Sequence, residues 1–131
     1  MNFYTTEKKI RPELFDSEAK QWANRLKHVS KAQFRRVYDE IKRLERKTQG
    51  KTDWEEVLPF VKMQKSKISY TVTRAKQKLP RKDDDKRKSY DELKSFIFEG
   101  VEAVKSSKDY EVFCQFFEAV YGFHYEIAPE K

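Results

Sequence analysis

One segment constrains the structure of this chain more than any other, the stretch SKAQFRRVYDEIKRLERK from Ser30 to Lys47. Its apolar residues recur at steps of three and four, so on a helix they fall on one stripe. This stripe consists of Phe34, Val37, Tyr38, Ile41 and Leu44. The cations of the segment collect on a different face, where Asp39 is the one carboxylate. Such a helix can bury one side in a core and present the other side to a polyanion.

The net charge of +7 is unevenly distributed along the 131 residues. Residues 1–88 hold 25 basic and 13 acidic residues, a net charge of +12. Residues 89–131 hold 4 basic and 9 acidic residues, a net charge of −5. A bipolar chain suits a basic face on nucleic acid and an acidic face toward a basic neighbour. A well-solvated basic protein with no such partner has the same composition.

The hydrophobic periodicity predicts an all-α fold, a compact bundle of about five helices in a single domain over residues 1–131. The predicted helices cover residues 17–28, 31–48, 59–79, 90–106 and 108–125. A short turn is expected at 54–57, because Pro59 would break or kink a helix running through it. Residues 1–15 are predicted to form an irregular N-terminal arm. Residues 80–88 are predicted to form a charged loop, after which Ser89 caps the fourth helix.

The last predicted helix is apolar around most of its circumference, which is typical of a helix at the centre of a core or against a partner. Its large side chains include Phe113, Phe116, Phe117, Val120 and Phe123. Gly100 lies on the apolar face of the preceding helix, where it would let another helix approach closely.

The sequence offers no set of residues for catalysis, a metal or a cofactor. Cys114 is the only cysteine, and neither His28 nor His124 has a ligand partner at helical spacing. The three glycines stand alone, so there is no glycine-rich phosphate loop. The N-terminus lacks the apolar run of a secretion signal, and no segment is apolar enough to span a membrane. We therefore predict a protein that is not an enzyme and that resides in the cytoplasm.

The remaining candidates are cations with aromatic residues near them. On the helix 31–48 the predicted RNA-binding residues are Lys31, Arg35, Arg36, Lys42, Arg43, Arg46 and Lys47. On the helix 59–79 they are Lys67, Arg74 and Lys78, which share a face adjoining Met63 and Tyr70. Arginine supplies a planar fork for phosphate oxygens and lysine a mobile point charge, while Tyr70 can stack on a base. In the alternative interpretation, Met63 and Tyr70 pack against another helix.

Three segments, in order, carry a resemblance to a known family. The first is the helix starting at Ser30, with the triplet Gln33-Phe34-Arg35 in which phenylalanine replaces the usual leucine. The second is LPFVKMQKSKISYTVTRAK, whose Tyr70 and Arg74 match a Tyr-x-x-x-Arg element. The third is FCQFFEAVYGFHYE, with Phe116-Phe117-Glu118-Ala119. Together they resemble the small subunit of the type III-A CRISPR effector, the Csm complex.

The resemblance covers roughly residues 17–126 and implies a helical subunit stacked in several copies along a filamentous complex. It implies guide RNA and target RNA as partners, together with the backbone subunits and further copies of the chain. Target cleavage belongs to the backbone subunit in this family, so the small subunit is expected to bind without cutting. The type III-B small subunit has a similar helical shape and role, and the pattern does not separate the two.

Two other classes of protein remain open at this point. In a free-standing DNA- or RNA-binding regulator, the helices 17–28 and 31–48 would form a helix-turn-helix. The basic face of 31–48 runs its full length, however, whereas a reader helix concentrates base contacts near one end. In a purely structural scaffold, the basic face would contact an acidic protein.

Overall fold

The computed structural model describes residues 1–50 and 53–130, and five α-helices occupy this part of the chain. They are α1 (Ser17–Arg25), α2 (Lys31–Thr48), α3 (Trp54–Gln77), α4 (Asp84–Ala103) and α5 (Ser107–Ile127). The helix α5 packs against α1 and α2, while α3 packs mainly against α4. The all-α bundle predicted from the periodicity is confirmed. None of the helices in the described residues is both long and apolar enough to cross a membrane.

The helix α2 has the bounds that the sequence predicts. The Ser30 hydroxyl accepts a hydrogen bond from the backbone N–H of Gln33 at 3.2 Å, so it satisfies one of the free donors of the first turn. Beyond its last turn the chain reverses at Gly50, whose φ of +79° is strained for residues that carry a Cβ. Phe34, Val37 and Ile41 are buried, as the stripe requires.

The predicted turn at 54–57 is wrong, because α3 begins at Trp54 and continues through Pro59. Pro59 cannot donate to the carbonyl of Glu55, and both residues lie on the exposed side of the helix. Burial of Val57 and Val61 on either side of the proline favours one continuous helix. Tertiary packing therefore outweighs the local cost of Pro59.

The predicted loop 80–88 and the predicted cap at Ser89 are wrong, because α4 begins at Asp84. Asp83 occupies the N-cap position, and two further carboxylates in the first turn favour the positive end of the helix dipole. Ser89 is buried within α4 instead. Its hydroxyl donates to the Arg25 carbonyl at 3.0 Å and accepts from the His28 N–H at 3.3 Å, which ties the end of α1 to α4.

The N-terminal arm is attached to the bundle along its length. It contains a short 3₁₀ turn, Pro12–Phe15, with Phe3 and Leu14 buried. The Tyr4 hydroxyl donates to Asp109 at the start of α5, with an oxygen–oxygen distance of 2.6 Å. Burial and this acceptor raise the pKa of Tyr4 to about 12. The arm is thus held against α5 by apolar and polar contacts together.

The core is built around α5. A Cβ on Gly100 would lie 2.0 Å from the Phe113 ring, so α4 can approach α5 only because residue 100 is glycine. His124 is fully buried, and its Nε2 lies 2.9 Å from the Val29 carbonyl. Burial lowers the pKa of His124 to about 4, so the ring is neutral at pH 7 and Nε2 carries the proton. His124 is therefore a core residue.

Candidate nucleic-acid interface

A groove of about 670 Å³ runs between α2 and α3. Its lining brings together side chains from both of the predicted basic sets. The cations of the lining are Arg36 and Arg43 from α2, and Arg74 and Lys78 from α3. The sequence places two of these residues on each of two helices, and the fold joins them into one surface.

The groove continues into a second cavity of about 390 Å³, which shares Glu40 and Arg43 with the first. This part is walled by apolar side chains, with cations at its rim. The apolar lining residues are Leu44, Val57, Phe60 and Met63, and the rim adds Lys47 and Lys67. The whole surface, from the apolar end to Lys78, is called the α2–α3 groove below.

One edge of the groove is a continuous row of exposed side chains on α3. Successive members are three or four residues apart, so they form a narrow stripe along the helix. The row consists of Phe60, Met63, Lys67, Tyr70, Arg74 and Lys78. Phe60 is 57% exposed, Met63 48% and Tyr70 64%, so the interpretation that packs Met63 and Tyr70 against another helix of this chain is wrong.

The prediction from sequence placed the last five members of this row on adjoining positions of one helix and did not name Phe60. The predicted helix 59–79 already contains Phe60. The regular spacing from Phe60 to Lys78 was therefore the available signal for placing Phe60 on this face.

Two of the predicted RNA-binding residues lie away from the groove and are engaged within the protein. Lys31 is paired with Glu130 at 3.1 Å and sits over the Tyr125 ring, 4.2 Å from its centre. The Lys42 ammonium lies 2.6 Å from Glu45, three residues later on α2. The hydrogen bond to Glu45 is the main cause that raises the pKa of Lys42.

Lys42 also lies 3.9 Å from Glu118, a residue of α5. Glu118 in turn accepts a hydrogen bond from the Tyr38 hydroxyl at 2.8 Å. Burial is the main cause that raises the pKa of Tyr38, and Glu118 adds to it. One margin of the basic face of α2 is therefore neutralised by α5, and the opposite margin faces the groove.

The other cations differ in how they are held. Arg35 and Arg46 are exposed on the open side of α2 and do not line the groove. Arg35 forms an exposed pair with Asp39 at 3.7 Å, and Lys67 forms one with Glu40 at 3.5 Å. Such exposed pairs are weak, so both cations can exchange a carboxylate for another anion.

The remaining groove cations have no carboxylate partner among the described residues. They are Arg36, Arg43, Lys47, Arg74 and Lys78. The Arg74 guanidinium instead donates to the Tyr70 hydroxyl at 3.0 Å, which holds both side chains along the edge of the groove. Guanidinium groups that are not already paired can bind phosphate oxygens through two donors at once.

The cysteine and one of the two histidines, which are side chains often used in catalysis, are enclosed in the core. Cys114 is fully buried, and burial raises the pKa of its thiol, so the reactive thiolate is disfavoured. His124 is neutral and stacks on Phe34, with ring centres 4.0 Å apart. Neither group reaches the α2–α3 groove.

Comparison with protein families gives a match over nearly the whole chain. The family model described as Csm2 Type III-A matches residues 9–130. This match extends beyond the resemblance noted at 17–126 and includes the second half of the N-terminal arm. Comparisons with curated proteins and with solved structures gave no match. The chain therefore belongs to the Csm2 family, the small subunit of the type III-A CRISPR effector known as the Csm complex.

Proposed function

We propose that this subunit is non-catalytic and holds RNA by its phosphates in the α2–α3 groove. The observation that carries the proposal is the convergence of Arg36, Arg43, Arg74 and Lys78 on one groove, none of them paired with a carboxylate of the described chain. Guide RNA and target RNA inside the Csm complex would supply the polyanion. Sequence is chosen there by base pairing, so the protein needs only shape and charge.

The non-catalytic part of the proposal is supported by the state of the reactive side chains. The thiol of Cys114 and the imidazole of His124 are both buried, with pKa values moved away from the range that favours catalysis. The larger cavity of the groove is lined by four cations against two carboxylates, Asp39 and Glu40, and exposed aromatic rings lie along the groove, a set suited to holding RNA rather than cleaving it. A helix-turn-helix regulator is disfavoured, since the cations are spread along two helices rather than at one end of a reader helix.

Protein neighbours are proposed for the acidic C-terminal part of the chain. Exposed carboxylates on α5 include Glu111, Glu118 and Glu126. These would contact the backbone subunits or a further copy of this chain along the complex. With protein neighbours on the carboxylates of α5, the α2–α3 groove would remain open to RNA.

Salt-dependent binding tests the proposal on the isolated protein. Affinity for RNA of any sequence is expected to fall linearly with salt on a log–log plot, because each neutralised phosphate releases counterion. The double variant Arg43→Ala/Arg74→Ala should reduce the steepness of that line by about two, one for each lost phosphate contact. The measurement is fluorescence anisotropy with labelled RNA over a range of salt concentrations.

A control with the same loss of charge separates the groove from general basicity. Lys105 and Lys108 are exposed beside the start of α5 and lie outside the groove. The variant Lys105→Ala/Lys108→Ala should keep the slope of the parent. An equal loss of slope in both double variants would mean that net charge alone drives binding, and the groove would not be the site.

A further inference from the structure

We propose that the α2–α3 groove binds unpaired RNA nucleotides, with one base stacked on Phe60 at the apolar end of the groove and phosphates on the cations around it. The proposal rests on the proposed function and names the form of RNA that the groove takes. The observation behind it is that exposed aromatic rings and cations share one edge of α3.

The apolar end of the groove has no partner within the described chain. Phe60 is 57% exposed and Met63 48%, and Leu44 and Val57 extend the apolar surface inward. Its volume of about 390 Å³ lies within the range of small-ligand sites, which is roughly 300–1,000 Å³. A flat apolar ligand can therefore be enclosed between α2 and α3.

The charges around this apolar end favour an anionic ligand. Arg43, Lys47 and Lys67 lie at its rim, against the carboxylates of Glu40 and Glu56. Lys67 already neutralises Glu40 in an exposed pair at 3.5 Å. Three cations against two carboxylates leave the rim with a net positive charge where the apolar walls open to solvent.

An unpaired nucleotide matches both the apolar end of the groove and the cations around it, whereas a duplex matches only the cations. In an A-form duplex the bases are stacked inside, and the protein meets phosphates and 2′-hydroxyls. A single-stranded nucleotide presents a free base face beside its phosphate. Stacking of that face on an aromatic side chain tolerates any base, which agrees with recognition that does not read sequence.

A second aromatic platform lies farther along the same edge. Tyr70 is 64% exposed, and its hydroxyl is held by the Arg74 guanidinium at 3.0 Å. Ten residues separate it from Phe60, which is about 15 Å along a helix at 1.5 Å per residue. With Lys67 between them, the two rings are arranged to take separate bases of one strand.

A protein helix is the rival occupant, since three- and four-residue spacing also suits helix packing. The charges favour RNA, because Lys67 lies between the two rings and Arg74 and Lys78 follow Tyr70 along the row. A helix seated there would have to bury or neutralise those cations. We therefore infer that the occupant is RNA, and one outcome of the test below would identify a protein partner instead.

The test compares three RNAs of equal length on the isolated protein: a single strand, the same strand with one abasic position, and the duplex. The single strand carries 2-aminopurine as a fluorescent base. We expect the intact strand to bind more tightly than the abasic strand, by roughly 5- to 150-fold for one stacked base. Its 2-aminopurine fluorescence should be quenched on binding.

Three variants test whether the Phe60 ring causes the difference in affinity between the intact and the abasic strand. Phe60→Leu keeps the apolar surface but removes the aromatic face. It should therefore abolish most of the difference in affinity between the intact and the abasic strand, and leave the salt dependence of binding unchanged. Phe60→Tyr keeps an aromatic ring and should retain the tighter binding of the intact strand. Phe98→Leu, an aromatic change on α4 outside the groove, should behave as the parent.

The outcomes separate this inference from the proposed function. Equal binding of the intact and abasic strands, with a normal salt slope, would overturn the stacking site and leave phosphate binding intact. Absence of salt-dependent binding to all three RNAs would overturn both. If Phe60→Leu binds RNA like the parent while Phe60→Asp is excluded from the assembled complex, the surface belongs to a protein neighbour and the inference is wrong.

Discussion

Replacing Phe117 by alanine is expected to lower the free energy of unfolding by about 3–5 kcal/mol, from lost burial and the cavity left behind. The ring is fully buried on α5 and lies 5.1 Å from the Phe34 ring of α2 and 5.2 Å from the Phe96 ring of α4. Three helices therefore meet at this side chain. A loss of this size is a large part of a total stability of roughly 5–15 kcal/mol. Urea unfolding followed by circular dichroism measures it.

The matched change is Phe123→Ala, six residues farther along α5. Phe123 is only partly buried, and its ring is covered by the Lys20 ammonium at 5.3 Å. We expect this variant to unfold close to the parent and to be incorporated less well into the complex. If Phe117→Ala unfolds at the same urea concentration as the parent, the assignment of the core is wrong.

The second large effect is expected when the four cations that line the groove are replaced by alanine. The variant Arg36→Ala, Arg43→Ala, Arg74→Ala and Lys78→Ala should bind RNA roughly 200- to 900-fold more weakly at 0.15 M salt. This follows from four phosphate contacts at roughly 0.7–0.9 log unit of affinity per log unit of salt, counted from about 1 M, where the electrostatic contribution vanishes. Retention of labelled target RNA by the assembled complex measures the loss.

The control for this variant removes four exposed cations outside the groove, namely Arg35, Arg46, Lys105 and Lys108. It should retain target RNA nearly as well as the parent, because net charge falls equally while the groove stays intact. Lys42 is left unchanged in both variants, since Lys42→Ala would leave the buried carboxylate of Glu45 without its ammonium partner. If the control variant loses more target RNA than the groove variant, RNA binds on the outer face of α2 and not in the groove.

Local signals account for the parts of the fold that the sequence predicts. The cap at Ser30 and the glycine at position 50 act within one turn of the ends of α2, so both ends of that helix are visible in the sequence. The start of α4 was missed for a physical reason. Its first turn is charged on every side, so the apolar period begins only near Tyr90, and Asp83 was one of three adjacent aspartates.

The candidate site is less predictable because it depends on contacts between distant parts of the chain. Periodicity identifies one broad basic face on α2, but it does not reveal which helix covers each margin. Glu118 lies far from Lys42 in sequence and approaches it only through the packing of α5 on α2. In the same way, Arg36 and Arg74 line one groove only because α3 lies beside α2.

Ultraviolet crosslinking of the assembled Csm complex, loaded with guide and target RNA, tests the central claim most directly. Crosslinked peptides of this subunit would be identified by mass spectrometry. We predict crosslinks within 36–47 of α2 and within 60–78 of α3, including Phe60 or Tyr70. Crosslinks confined to the C-terminal part of the chain, with none on α2 or α3, would contradict the assignment of the α2–α3 groove to RNA.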